Sequence, residues 1–232
     1  MLNPAKYAGR PEAGRILVDL LRPLATGATV VAAIPRGGVA VASPIAEQLG
    51  LPLIPIHSCR LVAPFAPEQS FGAIDEDGRA LMSHGAIVAL GLTQDLIEEA
   101  KSRATSEISC RRASYPVLPG RDQLSGRVVI LVDDGLATGH TLQTALRHVQ
   151  HRGARACIVA VPCATAGGAE ATQALLGRPG DQFVCPAIHA DLSAISDCYE
   201  NFGVVSDEEV ARLLGRANPS LGSEGKRRSG AA

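Results

Sequence analysis

The chain has 232 residues, with 22 Lys and Arg against 23 Asp and Glu and a formal net charge of −1. Hydrophobic residues make up 46% and charged residues 19%, the balance of a globular protein with a real core and not of a disordered chain. Near-neutral charge gives no electrostatic footprint for a general nucleic-acid or anionic-membrane binder, and no apolar run approaches the roughly 20 residues of a spanning helix. The first residues lack the apolar stretch of a signal peptide, so the expected address is the cytoplasm. Cys59, Cys110, Cys157, Cys163, Cys185 and Cys198 are scattered, with no two at C-x2-C spacing. They read as small apolar residues in a reducing compartment and not as zinc ligands.

In chain order, residues 10–22 carry Ala13, Ile16, Leu17, Leu20 and Leu21 at helical spacing. The β-branched run at 28–34 predicts a buried strand, followed by the turn Pro35-Arg36-Gly37-Gly38 and a helix over 39–49 that stops at Gly50. A strand over 53–58 leads through Cys59-Arg60 into a Pro-rich loop at 62–71. Strand-like pieces at 72–74, 79–83 and 86–90 suggest a hairpin excursion, and 93–114 forms the longest helix. The run 127–132 is apolar almost throughout, as expected of a parallel strand covered on both faces. A helix to about Arg152, a strand at 156–161, a helix at 168–176 and a strand at 182–185 complete a β-α-β-α order. The last expected helix is 207–214, and residues 217–232 offer nothing to bury and read as a disordered tail. The expectation is an α/β parallel-sheet, Rossmann-like single domain over 1–216 with a flexible hairpin excursion, the pattern turning irregular after Pro186.

The specific chemistry sits at the strand–loop–helix junction 128–142, VVILVDDGLATGHTL. Asp133 and Asp134 follow a buried strand, at the carboxyl edge where open α/β sheets bind ligands. Gly135 and Gly139 allow a tight turn, Thr138 and Thr141 add hydroxyls, and the loop opens a helix whose N-terminus favours an anion. A phosphate in that loop would lie beside two carboxylates able to hold neighbouring hydroxyls or a divalent ion, which describes a sugar phosphate. A Walker loop is excluded because Gly135 and Gly139 have three residues between them and His140 stands in place of the lysine. A G-x-G-x-x-G is absent from the junction, and the adjacent acids lack the intervening residue usual in aspartyl-phosphate phosphatases. His57, His84, His148, His151 and His189 show no pattern, and His140 reads as a solvated loop residue.

VVILVDDGLATGHTL resembles the phosphoribosyl-diphosphate (PRPP) binding motif of the type I phosphoribosyltransferases. The resemblance extends to a bacterial subfamily through IPRGG at 34–38, APEQSFGAI at 66–74 and NFGVVSDEEV at 201–210. It implies transfer of a 5-phosphoribosyl group from PRPP to a nitrogen nucleophile, a nucleobase or small amine, with release of pyrophosphate and with Mg²⁺ as cofactor. Asp133 and Asp134 would hold the ribose hydroxyls, directly or through Mg²⁺, and Gly135, Leu136, Ala137, Thr138, Gly139, His140 and Thr141 would complete the PRPP site. Arg36, Gly37, Gly38 and Arg60 would bind pyrophosphate, with Arg60 counted beside the acids as catalytic. The subfamily's Arg-Lys pair reads Cys59-Arg60 here, one cation fewer. The segment 62–74 matches the family's mobile catalytic loop, with Glu68 in reach of substrate. The resemblance also implies a small C-terminal hood at about 186–206, whose Ile195, Tyr199 and Phe202 would contact the acceptor. The resemblance also leaves room for a homodimer.

A second reading is a regulator that keeps the PRPP site as a sensor, which a basic face would favour; the balanced charge disfavours it. A third is a phosphatase using Asp133. In purine enzymes that act on hypoxanthine or guanine, an acidic residue occupies the position of Ala137. The resemblance therefore implies that those two bases are poor acceptors, while adenine enzymes share the Ala-Thr-Gly loop.

Overall fold

The computed structural model describes residues 6–116 and 124–219. Its centre is a parallel five-stranded sheet in the order β2-β1-β6-β7-β9. These strands are β1 (Thr29–Ala33), β2 (Leu53–Pro55), β6 (Val128–Val132), β7 (Ala156–Ala160) and β9 (Gln182–Val184). Every residue of β1, β6 and β7 is buried, which is why their sequences run apolar instead of alternating. From β1 the chain crosses through α2 (Gly37–Leu49) to β2, and from β6 it crosses through α5 (His140–His151) to β7. Those crossovers leave in opposite directions, so right-handed connections put the two helices on opposite faces. The switch point between β1 and β6 is where doubly wound sheets open a ligand crevice. Ala33 pairs with Val132 at the last rung, and the Arg36 turn and the acid pair leave the sheet side by side there.

The helix α1 (Arg10–Leu21) packs on α2, and α7 (Asp207–Ala217) packs on α2 from the chain's other end. The last helix runs three residues beyond the expected stop at 214. Asn218 explains this, since its amide donates to the carbonyls of Leu53 and Leu214, both at 2.8 Å, and fastens the helix end to β2. Ala217 and Asn218, placed in the expected tail, belong instead to the helix end, and 220–232 lies outside the described residues. No helix among the described residues is long and apolar enough to cross a membrane.

The hairpin excursion is a separate antiparallel sheet of β3 (Ser58–Ala63), β4 (Ala66–Asp75) and β5 (Ala80–Met82). It packs on α4 (Gln94–Ser114) around Leu61, Phe71, Ile74, Ile97, Ala100 and Ile108. Two expectations fail here. Most of 62–71 is strand and not loop: Val62 pairs with Ser70 and Ala63 with Ala66, and Pro67–Gln69 bulge out of β4, which absorbs the proline. The run at 86–90 lies in the helix α3 (His84–Ala89) and its C-cap, because the Ser83 hydroxyl caps the Ala86 N–H and starts a helical turn.

The turn between β4 and β5 is locked to α5 by a buried histidine that no sequence pattern singled out. His148 lies 3.3 Å from Asp75, 3.4 Å from Glu76 and 3.5 Å from Asp77, with Arg79, Arg112 and Arg152 also facing these acids. Burial alone would push its pKa down, but hydrogen bonds and charge from Asp75 and Glu76 outweigh burial and raise it from 6.5 to about 9. A raised folded pKa gives stability that is complete below about pH 6.5 and lost as pH rises through about 9. Wild type should therefore exceed His148→Gln in unfolding free energy by up to about 3 kcal/mol at pH 6, the gap shrinking towards pH 10. Urea melts at both values check this, and a gap constant with pH would contradict the buried ion pair.

Candidate active site

The acid pair occupies the crevice at the switch point. Asp133 Oδ1 accepts the backbone N–H of Asp134 at 2.9 Å, which aims the first carboxylate back along its own loop. Asp134 Oδ2 takes the Nε of Arg10 at 2.8 Å. Arg10 in turn lies 3.8 Å over the Phe202 ring and donates to the Gly203 carbonyl at 2.8 Å. Burial, then the neighbouring Asp134 charge, holds the Asp133 carboxyl well above the usual carboxylate range. Asp134 is also raised by burial, against the opposing pull of Arg10. Two carboxyls thus share one arginine.

The Arg36 turn is pressed onto these acids. A Cβ on Gly37 would stand 1.9 Å from Asp134 Oδ2, and one on Gly38 would meet the Val132 carbonyl at 2.8 Å. No side chain fits there, so the Gly-Gly pair is what lets β1 and β6 deliver their loops to one point. Arg36, half-buried, is the N-cap residue of α2 and leads directly into this contact.

On the other side, Gly139 is the N-cap of α5 at φ +83, a conformation that favours glycine. No side chain caps this helix, so the first N–H groups of α5 keep their anion-binding capacity beside the exposed Thr138 and half-buried Thr141. The hairpin sheet is docked on the same turn. The Ser58 hydroxyl donates to the Thr141 carbonyl at 3.0 Å, and Ser70 Oγ lies 3.4 Å from His140 Nδ1. His140 is thus half-buried against β4, and burial lowers its pKa. Arg60 lines a pocket of about 260 Å³ together with Pro35, Ser58 and Thr141.

The sequence profile of the phosphoribosyl transferase domain matches residues 73–176. An adenine phosphoribosyltransferase of Rhodococcus jostii is 30% identical over 158 residues, covering 67% of this chain and 70% of its own. The chain belongs to the phosphoribosyl transferase family. Two Mycobacterium tuberculosis proteins named for phosphoribosyl transfer are 34% identical over 219 residues, 94% of this chain and 48% of theirs. The chain thus spans about half the length of those two relatives. A crystal structure from Thermus thermophilus shares the fold at a TM-score of 0.70 and 32% identity, covering 90% of this chain and 97% of that one.

As a phosphoribosyl transferase domain, the chain brings Asp133, Asp134, Arg36, Gly37, Gly38 and the α5 N-terminus together at one crevice, with Arg60 on its hairpin side. Glu68 is exposed on the β4 bulge. Leu136 must be reassigned. Its side chain is fully buried, its N–H donates to Cys163 and its carbonyl accepts from Thr165, so it anchors the loop to β8 (Cys163–Thr165) and has nothing left for a phosphate. Tyr199 is also a support residue. It is 3% exposed, and its hydroxyl donates to the Asp134 carbonyl at 2.6 Å, holding the acid loop from below. Ile195, half-buried, packs against Gly135, and Phe202, also half-buried, lies beside Arg10.

The hood is larger than a C-terminal lobe. It combines β10 (Ala187–His189) on β8 and a 3-10 turn at Ile195–Cys198 with the N-terminal Tyr7, whose hydroxyl donates to the Pro162 carbonyl at 2.8 Å. The helix α6 (Ala166–Gln173) starts from β8 beneath the loop, where Thr165 caps it and also donates to the Ala137 carbonyl at 2.8 Å. Arg10 and Tyr7 went unnoticed in the sequence because each meets its partner more than 120 residues away. Gly37→Ala should cost about 1–3 kcal/mol of stability, because its methyl collides with Asp134. Gly27→Ala, with nothing within 4 Å, should cost far less. Equal melting temperatures for the two variants would contradict the close approach.

Proposed function

We propose that this chain transfers the 5-phosphoribosyl group of PRPP to a nitrogen nucleophile, a nucleobase or small amine, and releases pyrophosphate. The observation that carries the reading is the acid pair at the β1/β6 switch point with the Arg36-Gly37-Gly38 turn laid directly on it. The uncapped α5 N-terminus, with Thr138 and Thr141, suits the 5-phosphate. Asp133 and Asp134 would accept from the ribose hydroxyls, and Arg36 and Arg60 would face the diphosphate. In the reaction the bond from ribose C1 to the diphosphate oxygen breaks and a C1–N bond forms, the nucleophile losing its proton to solvent. Positive charge develops at the ribose, so the site works by positioning and electrostatics without a protein nucleophile.

Hard oxygen donors suit Mg²⁺, and the adjacent carboxyls would offer it oxygens that Arg10, bonded to Asp134, does not occupy. Asp133 and Asp134 would hold it. When bound, the ion supplies charge neutralisation between the carboxylates and the incoming polyanion. Arg10 does the same work for Asp134 alone.

The test is a screen of nucleobases and small amines for PRPP-dependent pyrophosphate release with Mg²⁺. At least one acceptor should turn over. Binding of PRPP without release from any acceptor would favour a sensor, and phosphate release from simple monoesters without PRPP would favour a phosphatase. Within the screen, hypoxanthine and guanine should be poor acceptors. Ala137 has no side-chain group to move a proton at the base, and its carbonyl is occupied by Thr165. Their kcat/KM should fall below about 10⁴ M⁻¹s⁻¹. Alanine there does not disfavour adenine, the base named for the Rhodococcus jostii relative. Efficient turnover of hypoxanthine or guanine would contradict the reading of Ala137 and leave the PRPP site standing.

A further inference from the structure

We propose that Arg111, on α4, is a second cation for the diphosphate of the donor, parked beside the site by Glu107 and Cys59. The inference rests on the phosphoribosyl-transfer reading above and adds a residue that lies outside every motif of that reading. The sequence resemblance left the diphosphate one cation short, because Cys59 stands beside Arg60 where a second basic residue is usual. The pocket between the Arg36 turn and the α5 N-terminus supplies one from elsewhere. Its lining includes Pro35, Arg60, Glu107, Arg111 and Thr141, so two guanidiniums and the start of α5 border the same space of about 260 Å³.

The arrangement behind Arg111 is built and not incidental. Glu107 and Arg111 are four residues apart on α4, and Glu107 Oε1 pairs with Arg111 Nη2. The other carboxylate oxygen, Oε2, accepts the thiol of Cys59 at 3.3 Å. Burial, with help from Glu107, pushes that thiol up to about 12, so Cys59 stays protonated and remains a donor. Cys59 belongs to β3, whose Ser58 holds the Thr141 carbonyl, so one strand fixes both the parking carboxylate and the phosphate loop. The Arg111 side chain is 22% exposed, shielded enough to strengthen a charge-assisted contact yet open to the pocket. Its pair with Glu107 uses one of five guanidinium donors and leaves others for a planar, two-point grip on phosphate oxygens. A diphosphate carries more negative charge than one carboxylate, so its arrival draws Arg111 from Glu107, while Cys59 keeps Glu107 from following.

The experiment is calorimetry on the full chain with Mg²⁺ and two probes, inorganic pyrophosphate and ribose 5-phosphate, titrated separately. Arg111→Ala should weaken pyrophosphate binding about tenfold, the scale of one lost charge-assisted contact, and leave ribose 5-phosphate unchanged. Arg111→Lys should recover part of the loss. Glu107→Gln should tighten pyrophosphate severalfold, because it frees Arg111 and removes a negative charge from the pocket. If Arg111→Ala melts below the assay temperature, Arg111→Gln gives the same comparison. Wild-type pyrophosphate affinity in Arg111→Ala, equal weakening of both probes, or no gain in Glu107→Gln would overturn the proposal. A wild-type chain that binds neither probe would instead overturn the phosphoribosyl-transfer reading beneath it.

Discussion

Two adjacent carboxyls stand at the end of a buried strand, and a single arginine faces them. Burying such a pair is unfavourable, which is why both groups are raised above the ordinary carboxylate range. The surroundings make sense as the devices that hold this unfavourable pair in place. Arg10 neutralises one member, Phe202 and the Gly203 carbonyl hold Arg10, and the Tyr199 hydroxyl pins the carbonyl that follows the pair. Each partner comes from an element far away in sequence, so the pair is stable only when the whole domain is folded. A ligand that brings hydroxyl donors or a cation relieves the residual strain, and the site is thereby biased towards such ligands.

The sheet explains how the pair acquires its neighbours. Because the chain leaves β1 and β6 in opposite directions, two loops emerge at one edge with no helix between them. One loop is glycine where it touches the acids, and the other turns into an uncapped helix. The antiparallel hairpin sheet then closes the third side through Ser58 and Ser70, bringing Arg60 and α4 to the same edge. The hood closes the fourth through β8, β10 and the N-terminal Tyr7.

What the sequence made legible was local. The stretch from β6 to α5 announces itself within 15 residues, since strand, acids, glycines and helix follow one another without interruption. The Gly37-Gly38 turn was readable for the same reason. What escaped was decided at long range or by packing. Leu136 sits among phosphate-loop residues and looks like one of them, yet two backbone bonds to β8 draw it into the core. Tyr199 reads as an acceptor contact until its hydroxyl is found on the Asp134 carbonyl. The 86–90 run has a strand's composition, but a serine cap before it decided for helix. Prolines at 64 and 67 suggested a loop, whereas a two-residue turn and a bulge accommodate them within strands. Arg10 carries no local signal at all, and its role is visible only across 124 residues.

We propose that Asp133 and Asp134 are kept in an unfavourable setting because they bind the donor sugar. The most direct measurement pairs thermal melting with calorimetric titration of Mg²⁺-PRPP, comparing wild type with the variant carrying Asp133→Asn and Asp134→Asn. Relief of the buried Asp133 charge and loss of the Arg10 partner at Asp134 oppose each other, so the unliganded variant should melt near the wild-type temperature. The same change should weaken Mg²⁺-PRPP binding by about 1–3 kcal/mol, the scale of lost charge-assisted contacts. An unchanged affinity in the double variant, with the fold intact, would contradict the assignment of this pair to the donor site.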